Sequence, residues 1–213
     1  MSKCNPVVIS GAVEGLLDEA LVGYLIEHAG ASSGPIYGKQ GKGYLLRNLR
    51  GYNQSARFRP WIILIDLNND DECAPPFRAS LLPIPSTYMC FRIAVREVEA
   101  WLFADRERLA RFLSIPVSRI PQNPEIIDQP KRRMVDIASS SRRRDIREDM
   151  VPRPGSGRII GPAYTSRLIE FVLDPQRGWR PDVAVQLSES LARCMRCLCR
   201  IVQEYRDNLS SSS

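Results

Sequence analysis

Two acidic motifs each stand where an apolar strand runs out. A further pair, Glu97 and Glu99, points to one face if the strand before it continues and to different faces if a helix has started. Val7-Val8-Ile9 leads toward Glu14, Asp18 and Glu19; Trp61-Ile62-Ile63-Leu64-Ile65 runs straight into Asp66, Asp70 and Asp71; Met89 to Val95 precedes Glu97 and Glu99. Short, mostly apolar runs of this kind are the habit of strands covered on both faces in a parallel sheet. In such sheets ligands gather beyond the carboxyl ends of the strands. Carboxylates brought there from separate strands repel one another unless a cation shares them, and an all-oxygen donor set suits Mg²⁺ or Mn²⁺. The spacing points to a divalent-metal site with Glu14, Asp66, Asp70, Asp71, Glu97 and Glu99 as candidate ligands. Asp66 ends five apolar residues, where an ionised carboxylate is costly unless paired or metal-bound. Plainer roles stand beside this one. Glu14, Asp18 and Glu19 would complement a helix dipole, and Asn68-Asn69-Asp70-Asp71 has the composition of a turn.

The elements that must position these residues alternate. Strands are expected at Val7–Ser10, weakly at Gly34–Gly38, at Trp61–Ile65 and at Met89–Val95; helices at Leu16–Ala29, Tyr44–Tyr52 and Phe77–Leu82, and over Arg106–Leu113 with Asp105 as its cap. Glu97 to Asp105 reads as a strand-to-helix transition. Residues 114 to 130 hold Pro116, Pro121, Pro124 and Pro130 and should be largely irregular. Beyond them, helices are expected over Lys131–Arg144, Tyr164–Leu173 and, as one long amphipathic element, Val183–Arg206. This is an α/β pattern: a mainly parallel sheet flanked by helices, with a helical C-terminal part. The natural division is a core of residues 1–113 and a basic, helix-rich extension of residues 114–213 packed on it as one structural unit.

Charge is uneven. Residues 131 to 167 hold ten Lys or Arg against four acids, an excess of six, while the rest of the chain has twenty of each sign. A local excess of that kind suits a polyanion such as nucleic acid, with Lys131, Arg132, Arg142, Arg143, Arg144 and Arg158 as candidate phosphate contacts. An ordinary solvated loop is the competing reading. His28 is the sole histidine, so no Ser-His-Asp or Cys-His system can be assembled. Gly38-Lys39-Gln40-Gly41-Lys42-Gly43 lacks the Walker A form and reads as a flexible loop or a backbone contact to phosphate. Cys194-x-x-Cys197-x-Cys199 has no second CxxC; small buried hydrophobes on a helix account for it better than zinc. The N-terminal apolar run is too short for a signal-peptide core and no run approaches a membrane span, so a cytoplasmic protein is expected.

Val13-Glu14-Gly15-Leu16-Leu17-Asp18 after one apolar strand, with the Asp66 cluster after another, resembles the Toprim domain of topoisomerases, primases and the overcoming-lysogenization-defect nucleases. The stretch Ile93-Ala94-Val95-Arg96-Glu97-Val98-Glu99-Ala100-Trp101-Leu102-Phe103-Ala104-Asp105 looks like the signature of a Toprim-related bacterial family of unknown function, number 4276. Asp128-Gln129-Pro130-Lys131 resembles a short Asp-Pro-Lys element of that family with a glutamine inserted. The likeness covers roughly residues 5 to 175. It implies a Toprim-like fold, a metal site built on Glu14 and the Asp66 cluster with those two residues catalytic, and the company of a partner ATPase in mobile-element defence. The chain departs from the Toprim pattern where Asp-x-Asp is replaced by Asp66-Leu67-Asn68. The expectation is a Mg²⁺- or Mn²⁺-dependent phosphodiesterase acting on nucleic acid; the alternative is a non-catalytic Toprim-fold module that binds a partner ATPase or nucleic acid.

Overall fold

The computed structural model describes residues 6–68 and 73–211; Asp70 and Asp71 lie outside these residues. The chain is α/β, with a four-stranded, all-parallel sheet flanked by helices and a helical C-terminal part. Strands β1 (Val8–Val13), β2 (Ser32–Gly38), β3 (Trp61–Asp66) and β4 (Met89–Ala94) lie in the order β2-β1-β3-β4. Val8 stands opposite Ser32 and Val13 opposite Gly38, and Ser10 stands opposite Trp61. Residues 62 to 66 of β3 are all buried and only Arg92 breaks the burial of β4, as covered parallel strands require. Edge strand β2 alternates between half-buried and exposed. It ends at Gly38, whose φ of +95° and whose absent Cβ, otherwise 2.3 Å from the Val13 carbonyl oxygen, admit glycine alone.

Helices α1 (Leu16–His28), α2 (Lys42–Ser55) and α3 (Ala74–Leu81) connect these strands. After β4 come α4 (Glu99–Phe103), α5 (Arg106–Leu113), α6 (Pro130–Ser139), α7 (Arg144–Met150), α8 (Tyr164–Leu173), α9 (Pro181–Ala184) and α10 (Glu189–Ser211). The stretch from 114 to 129 holds only two single 3₁₀ turns, as its prolines dictate.

The helices expected over Lys131–Arg144 and Val183–Arg206 are each divided. The first stops at Ser139, where the hydroxyls of Ser139 and Ser140 turn back onto the carbonyls of Asp136 and Ile137 at 2.7 and 2.8 Å. Serine favours such local bonds over helix continuation. The second yields at residues 185–188. Ser188 Oγ accepts the Leu191 N–H at 3.3 Å and starts α10 afresh, while Glu125 accepts both the Ser188 hydroxyl at 2.7 Å and the Ser190 N–H at 2.8 Å.

The chain forms two compact units. The first holds β1, α1, β2, α2, β3 to Ile65, α3, β4 to Ile93, and α10 from Ala192; the second holds Asp66 to Asn68 and the continuous stretch Ala94 to Leu191. The division does not fall at residue 113. In the first unit Ile9, Leu21, Leu25, Ile62, Phe91 and Leu198 are fully buried; in the second, Trp101, Phe103, Tyr164, Phe171 and Trp179 are. Trp101 centres the second core: its indole N–H donates to Ser190 Oγ at 2.7 Å and its carbonyl accepts the Trp179 indole N–H at 3.0 Å. Cys194 and Cys197 are buried thiols of α10 and Cys199 is exposed. No helix among the described residues is long and apolar enough to cross a membrane.

Candidate functional site

The second unit begins where β3 and β4 run out, and its first residues are laced together. The Leu67 N–H donates to the Ala94 carbonyl at 2.9 Å and the Asn68 N–H to the Arg96 carbonyl at 2.7 Å. Arg96 Nη1 returns a bond to the Asn68 carbonyl at 3.1 Å. Asn68 and Arg96 both have positive φ, 52° and 64°. Asparagine is among the few side chains that visit this region readily, so the residue that departs from Asp-x-Asp suits the turn its backbone makes.

Asp66, 8% exposed, accepts the Val98 N–H on Oδ1 at 3.0 Å. That bond holds the loop that carries Glu97 and Glu99. Helix α6 opens with Pro130 at its first position, and Gln129 supplies no side-chain cap. The next N–H, that of Lys131, is therefore one of the free donors of a helix start, and Glu97 Oε2 accepts it at 2.7 Å. The Lys131 ammonium turns to the same group of acids, 3.5 Å from Glu97 Oε1 and 3.7 Å from Glu99 Oε1. Glu99 is 1% exposed. Its Oε1 also accepts the Tyr164 hydroxyl at 3.2 Å, while its Oε2 is buried with no hydrogen-bond partner. Burial raises the Glu99 pKa; Lys131 works against that shift and Glu97 adds to it. Burial, followed by the neighbouring Glu99 carboxylate, pushes the Tyr164 phenol well above its ordinary value.

The second unit therefore brings together Glu97, Glu99, Lys131 and Tyr164, with Asp66 fixing their loop. Glu14 belongs to the first unit, where its carboxylate lies 3.9 Å from Lys42 Nζ. Glu19 in that unit pairs with Lys39 at 2.8 Å. As a donor set for a hard divalent ion, Glu97 and Glu99 are chemically apt: oxygen ligands, one of them a buried oxygen with no donor of its own. Among the described residues, no three His, Cys, Asp or Glu side chains stand together as an ion cage. In this arrangement the positive charge beside the pair is an ammonium.

The basic segment is paired only in part. Arg143 pairs with Asp145, Arg144 with Glu148, and Arg167 with Asp145, Asp149 and Glu170. Arg132, Arg142 and Arg158 are exposed. Lys131, expected among the phosphate contacts, is instead the counter-ion of Glu97 and Glu99. Pro130 marks the start of α6, where the first N–H groups have no partner within the helix, but nothing in the sequence reports the ion pairs of the Lys131 side chain.

Compared with protein-family models, curated proteins and solved structures, the chain matches none. The resemblance to Toprim domains and to family 4276 rests on the quoted motifs alone.

The raised Glu99 pKa has a testable sign. A carboxyl that holds its proton more tightly when folded contributes stability that is fully present below its ordinary value of 4.5. That contribution is lost as pH rises through the folded value. Glutamine stays neutral throughout, so Glu99→Gln should gain melting temperature relative to wild type as pH rises from 4.5 to neutrality. A constant difference across that range would show that Glu99 is not held above its ordinary value.

Proposed function

We propose that this chain is a Mg²⁺- or Mn²⁺-dependent phosphodiesterase of nuclease type, acting on nucleic acid, with its acid–base centre at Glu97, Glu99 and Lys131 of the second unit. The observation that carries the reading is the buried Glu99 oxygen with no hydrogen-bond partner. A buried carboxylate oxygen is unfavourable unless a proton or a cation completes it, and a buried carboxyl with a shifted pKa is a candidate for a site of chemistry.

Each residue has a distinct part in this proposal. Glu97 and Glu99 would hold the ion. The buried Glu99 oxygen that lacks a hydrogen-bond partner would offer the ion its lone pair. Tyr164 fixes the orientation of Glu99 through their hydrogen bond, and Asp66 fixes the loop through Val98. Lys131 balances the pair and supplies an ammonium for a phosphate oxygen. A bound divalent ion contributes polarisation of the phosphoryl group and a lowered pKa for water.

A non-catalytic binding module is favoured by one observation, the lack of a three-ligand cage among the described residues. Thermal unfolding in about 10 mM Mn²⁺ separates the two. A site binding near 1 mM adds roughly 1.4 kcal/mol, or about 3 to 6 °C for a chain of this size. Wild type should show that rise, and Glu97→Gln and Glu99→Gln should lose it. No rise in wild type, with or without an added oligonucleotide, would favour the binding module. Glu14→Gln separately tests the part that the resemblance gives Glu14, with lost cleavage and retained nucleic-acid binding expected.

A further inference from the structure

The first unit carries a cationic, aromatic surface that the acidic site does not use. From His28 to Ile65 there is no Asp or Glu, while Lys39, Lys42, Arg47, Arg50, Arg57 and Arg59 are all cationic. The near-neutrality of the chain outside residues 131 to 167 thus hides a second local excess as large as the first. In both segments only part of the charge is paired, and exposed arginines remain. The second unit's arginines 143, 144 and 167 are paired with acids. In the first unit Lys39 and Lys42 face Glu19 and Glu14, but Arg47, Arg50, Arg57 and Arg59 are exposed. Their side chains make no ion pair or hydrogen bond among the described residues.

Three aromatic rings are grouped on the same unit. Tyr37 of edge strand β2, Tyr52 of α2 and Trp61 at the start of β3 lie with their planes within 17° to 28° of one another. Their centroids are 5.8 Å apart for Tyr37–Trp61, 5.2 Å for Tyr52–Trp61 and 6.5 Å for Tyr37–Tyr52. None of the three is buried: Tyr37 is 47% exposed, and Tyr52 and Trp61 are partly so. Phe58, between Arg57 and Arg59, is 76% exposed. A core aromatic cluster would be dry; this one is partly exposed, and Trp61 follows the exposed Arg57-Phe58-Arg59 stretch by two residues. Aromatic faces among cations are what a single-stranded nucleic acid requires, since its bases stack on rings and its backbone follows the charge. A duplex hides its base faces and engages such a surface through charge alone. An acidic protein partner would be served by the arginines and would leave the grouped rings without a role.

We propose that Tyr37, Tyr52 and Trp61, with Arg57 and Arg59, form a stacking surface for single-stranded nucleic acid, separate from the acidic site of the second unit. The test is fluorescence anisotropy of the full chain with labelled oligo(dT) and oligo(U) of about 15 nucleotides, a length within reach of one such surface, and with a duplex of equal length, all in EDTA. Both single strands should bind more tightly than the duplex, and the ratio between them reports the preference for DNA or RNA. Tyr37→Ala should weaken single-strand binding about five-fold or more while Tyr37→Phe retains it. Arg57→Gln with Arg59→Gln should lower the slope of log affinity against log salt by about 0.7 for each phosphate no longer neutralised. Circular dichroism melting of each variant shows that it is folded. Equal affinity for duplex and single strand, or binding that ignores both Tyr37→Ala and Tyr52→Ala, would overturn the assignment. Because metal is absent, either result leaves the proposed cleavage activity to its own test.

Discussion

Asp105→Ala is expected to lower the melting temperature of the second unit by roughly 6 to 12 °C. Asp105 is completely buried and its two oxygens satisfy donors from two places in the chain. Oδ1 accepts the Arg108 N–H at 3.4 Å, capping α5, and Arg180 Nη2 at 2.7 Å. Oδ2 accepts the Arg180 backbone N–H at 3.0 Å and its Nε at 2.9 Å. Alanine removes a cap worth about 1 kcal/mol and leaves backbone and guanidinium donors without their acceptor, at about 1 to 3 kcal/mol for each one that stays dry. Breaking a fully buried pair costs about 3 to 5 kcal/mol. The Arg180 side chain is 35% exposed and can turn toward water, which favours the lower end, about 3 kcal/mol. At 2 to 4 °C per kcal/mol for chains of this size, the range above follows. Asp105→Asn keeps one acceptor and should fall between alanine and wild type. A melting temperature for Asp105→Ala within about 2 °C of wild type would mean that the pair contributes little to holding residues 94–191 together.

The two partners of Asp105 show which parts of the structure the sequence discloses. Its capping of Arg106–Leu113 was legible, because a cap is a local relation: an aspartate directly before a helical pattern. Its bond to Arg180 spans 75 positions, and no periodicity reports it. The same contrast runs through the fold. Strands β1, β3 and β4 were readable because burial leaves an apolar run, and α5 and α8 because their patterns begin and end on clear signals. Edge strand β2, half-buried and exposed by turns, gave only a weak signal over Gly34–Gly38. The helix expected from Val183 to Arg206 continues its apolar spacing across residues 185–188. What divides it is Ser188 meeting Glu125 and the Leu191 N–H, a tertiary contact laid over a pattern that would also permit a helix.

The site was legible to a similar depth. Residue type and position at strand ends singled out Asp66, Glu97 and Glu99, which do gather on one loop system of the second unit. Whether Glu97 and Glu99 share a face depended on where the strand ends, and it ends at Ala94. Both side chains then reach Lys131 from a turn and a first helical residue. A count of basic residues favours 131 to 167. The equal excess between His28 and Ile65 is masked in that count, because the acids elsewhere in the chain balance it. Tyr37, Tyr52 and Trp61 are far apart in the chain, and only the sheet and α2 assemble them.

Glu99→Gln should abolish metal-dependent cleavage, by about 100-fold or more in rate, while leaving nucleic-acid binding in EDTA unchanged. Glutamine is nearly isosteric and still offers an oxygen to the Tyr164 hydroxyl, so the packing around α4 and α8 persists. It lacks the negative charge that an ion would meet. Because burial works against the ionised form of Glu99, the substitution should not cost stability near neutral pH. Lost activity would then be a loss of chemistry rather than of fold. Tyr164→Phe provides the graded companion: it removes the orienting hydroxyl but keeps the carboxylate, and should slow cleavage less than Glu99→Gln does. Initial rates on a labelled single-stranded substrate in Mn²⁺, set beside anisotropy in EDTA, read both quantities from the same preparation. Wild-type cleavage by a folded Glu99→Gln protein would remove the second-unit site from the chemistry. No cleavage by wild type on either single-stranded or duplex substrate would leave the chain as a nucleic-acid-binding module whose buried carboxylate is balanced by Lys131 alone.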